Sequence, residues 1–215
     1  FKQKTAYEIG VRLVGSEMCI RDRVCSWGEK DAKYADYHDT EWGVPVTDDV
    51  RLYEKMCLEG FQSGLSWLTI LRKRDNFRAA FAGFEIEAVA KFGDKDVQRL
   101  LNDAGIVRHR GKIEATIVNA QAALQTIEAH GSLSNFFWSF EPEHCPPVRT
   151  PSDMAASTKE SEQMSKALKQ LGWRFVGPIT CYSLMQADGI VNDHFVNCFR
   201  HSEIEATRTA TEEPS

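Results

Sequence analysis

The apolar residues of this chain recur at the spacing of an α-helix, and no segment shows the sustained two-residue alternation of a half-buried strand. A helix is predicted from 49 to 60 by apolar residues at helical spacing, namely Leu52, Tyr53, Met56 and Cys57. A second helix is predicted at 65–72, another at 97–104, and a long amphipathic helix at 113–127 that Gly131 closes. The predicted fold class is therefore all-α.

Two further helices are predicted on either side of a tight connector. The run Ser157-Thr158-Lys159-Glu160 is typical of a capping box, and it opens a helix with Met164, Leu168 and Leu171 facing inward. The connector runs from Gly172 to Gly177, and Pro178 suits the first turn of the next helix, which extends to about Asp188. The predicted arrangement is helix, hairpin, helix, preceded by an irregular proline-rich segment at 141–151.

Composition sets limits on the size of the core and on the way the chain could bind a partner. The 215 residues are 42% hydrophobic, which is enough for one globular unit with a sizeable core. The net charge of -5 does not suit a protein that holds DNA by bulk electrostatics, so a nucleic-acid role would have to depend on local features. We expect a monomer without a membrane-spanning segment.

The six cysteines are spread thinly through the chain, and neither a signal peptide nor a long apolar run accompanies them. This usage favours a reducing, cytoplasmic environment with free or metal-bound thiols rather than disulfides. Cys57 and Cys181 fall among apolar helix positions and are predicted to be packing residues.

Two separated Cys/His pairs are candidates for a metal site. Cys25 and His38 lie near one end of the domain, whereas His194 and Cys198 are four residues apart and so face one side of a helix. Four nitrogen and sulfur ligands suit a tetrahedral zinc ion, but the same spacing is equally compatible with ordinary core residues. Four protein ligands would leave no coordination position for water, so such an ion would be structural and would join the N-terminal segment to the C-terminal helix.

Several longer sequence motifs, from about Val24 to about Arg200, together resemble those of the 3-methyladenine DNA glycosylase I family. They are Cys25-Ser26-Trp27, Tyr37-His38-Asp39-Thr40-Glu41-Trp42-Gly43-Val44-Pro45, Leu58-Glu59-Gly60, Gly64-Leu65-Ser66-Trp67, Asp103-Ala104-Gly105-Ile106-Val107-Arg108-His109-Arg110-Gly111-Lys112-Ile113 and Asn192-Asp193-His194. The resemblance implies a helical domain of the helix-hairpin-helix glycosylase superfamily. It also implies one structural zinc per chain, bound by Cys25, His38, His194 and Cys198.

The resemblance further implies an enzyme that removes 3-methyladenine from alkylated double-stranded DNA. The family's base pocket maps onto Tyr37, Glu59 and Trp67, with Trp27 and Trp42 nearby. Without the resemblance, the tryptophans would be read as core residues and Glu59 as the partner of Lys55 on a solvated helix face. Around Phe61-Gln62-Ser63 the sequence departs from the family's pattern, which bears on fine substrate preference.

The chemistry of base removal gives each pocket residue a role. A base in duplex DNA must be rotated out of the stack and held by its hydrogen-bonding edge and its aromatic face. Glu59, the candidate catalytic residue, could accept hydrogen bonds from an exocyclic amine and balance a cationic base, while Trp67 offers a stacking face. Such a base is a good leaving group, so binding and positioning can do most of the work.

The product depends on whether an amine lies in the pocket. Lys55 is predicted on the solvated side of its helix, which leaves water as the nucleophile and an intact strand with an abasic site as the product. No residue is identified as the base that activates water. The resemblance places Asp193 near the position of a catalytic aspartate in related glycosylases, but its place beside His194 favours a role in orienting the metal region, and the sequence leaves the choice open.

The hairpin is the predicted DNA contact. Bounded by Gly172 and Gly177, it opens a helix N-terminus whose free N–H groups can bind a phosphate without sequence preference. Lys166, Lys169 and Arg174 flank it and would add positive charge, although a solvated helix face explains these residues equally well.

Three segments are predicted. Residues 1–23 match one reading frame of a sequencing adapter in part and are taken as non-native, 24–201 form the glycosylase domain, and the polar tail 202–215 is disordered. The alternative function is a non-enzymatic, zinc-stabilised helical module that binds DNA or protein, which would share every feature except a working base pocket.

Overall fold

The computed structural model describes residues 24–28 and 31–211, and every regular element in these ranges is helical, which confirms the predicted all-α class. Short 3-10 turns lie at Ala82–Phe84 and Pro151–Asp153. The helices are α1 (Ala32–Thr40), α2 (Asp49–Gln62), α3 (Trp67–Ala80), α4 (Ile86–Val89), α5 (Asp94–Asn102), α6 (Arg110–His130), α7 (Leu133–Trp138), α8 (Lys159–Gln170), α9 (Pro178–Ala187) and α10 (Phe199–Thr211). Within the described part of the chain, none of them combines the length and the apolar character needed to span a membrane.

Side-chain caps explain where several helices begin. The carboxylate of Asp48 accepts from the Arg51 backbone N–H at the start of α2, and Ser66 does the same for Thr69 at the start of α3. The capping box predicted for α8 is present with Thr158 as the cap, but its partner is Ser161 rather than a glutamate. Gly131 ends α6 at a φ of 85°, as its position predicted.

Helix α2 is the centre of the domain. It packs against α3, α6, α7 and α9, and every residue from Leu52 to Phe61 is buried. A helix enclosed on all sides has no solvated face. The prediction that Lys55 faces solvent is therefore wrong, because its side chain is only 7% exposed and lies inside the domain.

The segment from Gly172 to Gly177, here called the hairpin, joins α8 to α9. These two helices pack against each other, and Gly172 takes a φ of 88° where the chain leaves α8. The segment from Ser139 to Thr150 contains no helix, as the prolines predicted. Cys57 and Cys181 are buried, and burial raises the pKa of each thiol to about 12, which fits their predicted packing role.

The C-terminal segment differs from its prediction. Residues 202–211 continue α10 instead of being disordered, because Ile204 is buried and Arg208 pairs with Glu141 and donates to the Ile190 carbonyl. One apolar anchor and one ion pair thus order a segment whose polar composition indicated disorder. Residues 212–215 and the predicted non-native segment 1–23 lie outside the described residues.

Candidate functional site

A cavity of about 180 Å³ lies among α1, α2, α3 and α9. Its lining includes all five residues predicted for the pocket, so side chains that are far apart in sequence meet at one place. Helix α1 contributes the tyrosines, α2 the carboxylate, and the first residue of α3 an indole ring. The lining residues are Trp27, Tyr34, Tyr37, Trp42, Glu59, Gln62, Trp67, Met154, Ser183 and Gln186.

Glu59 is a buried carboxylate at the wall of this cavity. Burial raises its pKa above the usual range, while the positive charge of Lys55 acts in the opposite direction. The Lys55 ammonium lies 3.2 Å from the nearer Glu59 oxygen. The predicted i,i+4 pair therefore exists, but it is a buried pair beside the cavity and not a solvated one.

Tyr37 and Trp67 meet at the same ammonium. Lys55 donates to the Tyr37 hydroxyl over 2.6 Å, and its Nζ lies 3.7 Å from the centroid of the Trp67 ring. The Tyr37 and Trp67 rings are 5.5 Å apart. Burial raises the pKa of Tyr37 well above its ordinary value, with a further contribution from the charge of Glu59, so this residue remains a neutral phenol.

Trp27 and Trp42 form the aromatic wall on the other side of Tyr37. Their rings make an edge-to-face contact at 4.9 Å. Among the described residues, the buried indole N–H groups of Trp27 and Trp67 have no hydrogen-bond acceptor. Buried donors without an acceptor are uncommon in folded proteins, and here two of them belong to residues that line one cavity.

The four predicted metal ligands converge directly behind this aromatic wall. The prediction that His194 and Cys198 share one face of a helix is wrong, because both lie in the non-helical segment before α10. The donor atoms of Cys25, His38, His194 and Cys198 all lie within 4.8 Å of one another, and all four residues are buried. The sulfur–nitrogen separations are 3.5 Å from Cys198 to His38, 3.6 Å from Cys198 to His194 and 3.7 Å from Cys25 to His194. A tetrahedral ion with zinc–sulfur and zinc–nitrogen bonds of about 2.3 and 2.0–2.1 Å requires sulfur–nitrogen edges of about 3.6 Å.

The second ring nitrogen of each histidine is held by another group. His38 Nδ1 lies 2.6 Å from the Asp39 carboxylate, and His194 Nε2 lies 2.9 Å from the Trp42 carbonyl oxygen. These contacts leave His38 Nε2 and His194 Nδ1 to face the sulfur atoms, as in sites where the groups around the ligands fix the ring orientation. Gly43, at a φ of 83°, permits this packing, because a Cβ atom there would lie 3.1 Å from His194 Nε2.

The Cys/His cluster contacts residues that line the cavity. The Trp27 ring lies 5.1 Å from the His38 ring, and the Trp42 ring lies 4.6 Å from the His194 ring. Tyr37 is the chain neighbour of His38. The cluster therefore supports the aromatic wall of the cavity.

Comparison with known proteins shows the family of this chain. The model of the methyladenine glycosylase family matches residues 27–201. The chain belongs to this family. It is 51% identical over 177 residues to DNA-3-methyladenine glycosylase 1 of Escherichia coli (strain K12), across 81% of this chain and 94% of that protein.

Solved structures agree with the family assignment. A crystal structure of 3-methyladenine DNA glycosylase I matches with a TM-score of 0.79 and 47% identity over 83% of this chain and 100% of the other. The structure that concerns 3-methyladenine recognition by the Staphylococcus aureus enzyme matches with a TM-score of 0.79 and 38% identity, over 82% of this chain and 95% of the other.

The hairpin of this methyladenine glycosylase is held by a buried amide. Asn119 accepts from the Arg174 backbone N–H over 2.7 Å and donates to the Arg174 carbonyl over 3.0 Å. Phe175 takes a φ of 56°, which is unfavourable for a residue with a side chain, and its ring is 40% exposed. A Cβ atom on Gly60 would lie 3.3 Å from the Phe175 Cβ, so the hairpin packs closely on α2 next to Glu59.

The predicted DNA-contact residues lie at this hairpin. Lys166, Lys169 and Arg174 are exposed, and the two lysines line a shallow cavity of about 350 Å³ with Pro178. Gly177 is the N-cap residue of α9. Because it has no side chain, it does not cap the first backbone N–H groups of that helix.

Asp193 differs from its prediction. Its carboxylate accepts from the Tyr182 hydroxyl and from the Gln186 amide, each over 2.7 Å, and Gln186 lines the base cavity of the glycosylase. The neighbouring Asn192, and not Asp193, accepts from the His194 backbone N–H. Asp193 therefore orients a residue of the cavity wall.

Sequence reasoning did not identify half of the cavity wall. Tyr34 is one turn before Tyr37 on α1, and Gln62 is three residues after Glu59 on α2, so helical spacing from the known pocket residues indicates both. Met154, Ser183 and Gln186 come from distant segments and carry no such signal. A larger cavity of about 680 Å³ lies beside α10, but among the described residues its lining contains only two aromatic rings, the Trp138 indole and the His144 imidazole, and no buried carboxylate beside an aromatic pair.

Proposed function

We propose that this chain hydrolyses the N-glycosidic bond of 3-methyladenine in alkylated duplex DNA. One observation carries the proposal: a buried carboxylate, Glu59, lies beside the faces of Tyr37 and Trp67 in a cavity of about 180 Å³. This arrangement suits a flat cation with exocyclic N–H groups. It also argues against the alternative of a non-enzymatic zinc-stabilised module, which has no need of such a cavity.

The cavity recognises the base by charge, hydrogen bonding and stacking together. A flipped 3-methyladenine carries a positive charge while it is attached to the sugar, and the Glu59 carboxylate accepts from its amine and balances that charge. The Trp67 ring provides a stacking face, and a cation is attracted to it more strongly than neutral adenine is. Undamaged adenine therefore gains less from the same cavity.

The reaction needs little acid catalysis because the substrate is already cationic. Water attacks C1′ of the deoxyribose, and the electron pair of the glycosidic bond goes to the base, which leaves as neutral 3-methyladenine. The proton of the attacking water passes to solvent. The protein contributes by holding the flipped nucleotide in the geometry in which water can attack C1′.

The product distinguishes hydrolysis from attack by an amine. Among the residues that the structure describes, no lysine lines the cavity, and Lys55 is engaged by Tyr37 and Glu59 outside that lining. We therefore expect methylated duplex DNA to lose 3-methyladenine while its strand stays intact until alkali cleaves the abasic site. Gel analysis with and without alkali measures this. A covalent protein–DNA adduct trapped by borohydride, or nicking without alkali, would contradict hydrolysis by water.

We propose that the Cys25–His38–His194–Cys198 cluster holds one zinc ion. Its two sulfur and two nitrogen donors, their buried positions and their separations suit a tetrahedral ion. When bound, the ion supplies folding free energy and leaves no coordination position for water. Its place behind Trp27 and Trp42 means that it supports the cavity and takes no part in hydrolysis.

The hairpin is proposed to bind the DNA backbone through the start of α9, Arg174 and the two lysines of α8. Replacing Lys166 and Lys169 with Gln should weaken binding to duplex DNA and lower the slope of log K against log salt by about 2, because each phosphate contact contributes about 0.9. Affinity for the free base should not change. Equilibrium titrations at several salt concentrations measure both quantities.

The control is Lys95→Gln on α5, a residue that is exposed but lines neither cavity. It should keep the salt dependence of the parent. If the double Lys166/Lys169 variant keeps it as well, the hairpin is not the site of phosphate binding.

A further inference from the structure

Lys55 contacts three residues of the base cavity without lining it. Its ammonium lies 2.6 Å from the Tyr37 hydroxyl, 3.2 Å from a Glu59 oxygen and 3.7 Å from the Trp67 centroid. It borders instead a smaller cavity of about 20 Å³, and Trp67 is the one residue that the two linings share. The indole ring thus forms the wall between the base cavity and a buried lysine.

The contact with Tyr37 fixes the direction of that hydroxyl. An ammonium has three donors and no acceptor, so the Tyr37 oxygen must accept from Lys55. The hydroxyl's own hydrogen is then directed away from Lys55, and Tyr37 lines the base cavity. Without Lys55 the hydroxyl could act as donor or acceptor toward a bound molecule.

The contact with Glu59 fixes its charge and orientation. Burial raises the pKa of Glu59, whereas the Lys55 ammonium 3.2 Å away lowers it and so favours the ionised, hydrogen-bond-accepting form. Asp188 borders the same small cavity, but burial raises its pKa to about 8 and one of its oxygens has no partner among the described residues. Near neutral pH, Asp188 is therefore largely protonated, and Glu59 is the carboxylate that pairs with Lys55.

We propose that Lys55 is a positioning residue that sets the hydrogen-bond polarity of the base cavity, with the Tyr37 hydroxyl as donor and the Glu59 carboxylate as acceptor. The complementary ligand is a base that presents an N–H donor beside an unprotonated ring nitrogen. This inference rests on the proposed function, because it concerns how the same cavity selects its base. It assigns to a buried lysine a role that neither stability nor DNA contact requires.

The test is a double-mutant cycle on binding of free 3-methyladenine. Lys55→Met removes the charge and the donors at similar length, and Tyr37→Phe removes the hydroxyl. We expect Lys55→Met to raise the Kd about tenfold, which corresponds to one charge-assisted hydrogen bond or slightly less. In the Tyr37→Phe background, the same change should raise it distinctly less, because part of the contribution of Lys55 passes through that hydroxyl.

Binding stoichiometry separates positioning from damage to the fold. Irreversibly misfolded protein lowers the stoichiometry below one base per chain, whereas reversible unfolding raises the apparent Kd by the reciprocal of the folded fraction. A positioning role therefore requires a Kd about tenfold higher at a stoichiometry of about one base per chain, in a variant whose thermal melt shows it fully folded at the temperature of the titration. If Lys55→Met does not fold, Lys55→Gln, which keeps an N–H donor without the charge, takes its place in the cycle. Lys73→Met is the control, since Lys73 binds the carbonyls of Ala104 and Gly105 away from the cavity.

Two results would overturn the proposal. The first is a Lys55 variant that binds the base as the parent does. The second is a cycle in which the losses from Lys55 and Tyr37 simply multiply, since independent effects exclude action through the hydroxyl. A parent protein that fails to bind 3-methyladenine would instead refute the proposed function, and with it the role of Lys55.

Discussion

Replacing Cys198 with Ala should remove the metal and much of the stability of this protein. Three ligands cannot close a tetrahedral site, and the free energy of metal binding is folding free energy when the unfolded chain has no preformed site. We expect the free energy of unfolding to fall by at least about 4 kcal/mol, which corresponds to a decrease in Tm of roughly 8–16 °C for a domain of this size. Metal analysis of the parent should give one zinc per chain, and thermal melts of both proteins measure the loss.

Cys181→Ala is the matched control for this experiment. It makes the same substitution at another fully buried cysteine, in α9, outside the metal-ligand cluster. Its cost should be only that of a small cavity, about 1 kcal/mol. Parent protein purified without zinc, or a Cys198→Ala variant that melts like Cys181→Ala, would contradict a structural zinc site.

The effect of metal loss should reach the base cavity because the two share a wall. Trp27 and Trp42 each pack against a histidine of the cluster, and Tyr37 precedes His38 on α1. A change in the cluster therefore displaces three residues that line the cavity. The proposed metal site would then support recognition of the base without taking part in hydrolysis.

The helices that the sequence predicts most closely are those that it signals twice, whereas α1, α4 and α7 were not predicted. Helix α6 has both an apolar period and the glycine that ends it, and α8 has both a period and a cap at Thr158. Segments with only one signal were predicted less well. Helix α10 has a polar composition, and its order depends on Arg208 meeting Glu141, a contact over a long sequence separation that no local pattern reveals.

The candidate site could be predicted only in part, since the sequence indicated five of the ten residues that line the cavity. The resemblance indicated Tyr37, Glu59 and Trp67 together, and the structure brings them to one cavity. It could not indicate Lys55, because a period along one helix shows which side is apolar and not whether further helices cover the remaining side. Helix α2 is covered on all sides by other parts of the domain, and this tertiary packing places the Lys55 ammonium beside the cavity.

Glu59→Gln is expected to have the largest effect on catalysis. The substitution keeps the size and the acceptor oxygen of the side chain but removes the negative charge that balances a cationic base in a site shielded from water. Loss of one such electrostatic contact typically costs about 10²–10³ in rate, and we expect a fall in kcat of about 100-fold. Release of 3-methyladenine from methylated duplex DNA under single-turnover conditions measures it.

Glu54→Gln is the control for this substitution. Glu54 is also a buried glutamate of α2, but it pairs with Arg78 and does not line the base cavity. The control should lose some stability, because it removes the 2.8 Å contact of Arg78 and leaves that residue only Asp75 at 3.6 Å. It should keep the excision rate within about threefold, a difference of less than about 1 kcal/mol in barrier. A fall in rate common to both variants would reflect damage to α2 and not the loss of a catalytic charge.

The pH dependence of the two variants completes the test. Burial raises the pKa of Glu59, so the ionised form needed to balance the base is present above that pKa and is lost as the pH falls through it. The parent and Glu54→Gln should therefore share an acid limb in the rate of base release, displaced upward from the usual range of a glutamate. In Glu59→Gln this limb should disappear, because Gln does not titrate. An acid limb that persists unchanged in Glu59→Gln would show that another group controls excision and that Glu59 is not the catalytic carboxylate.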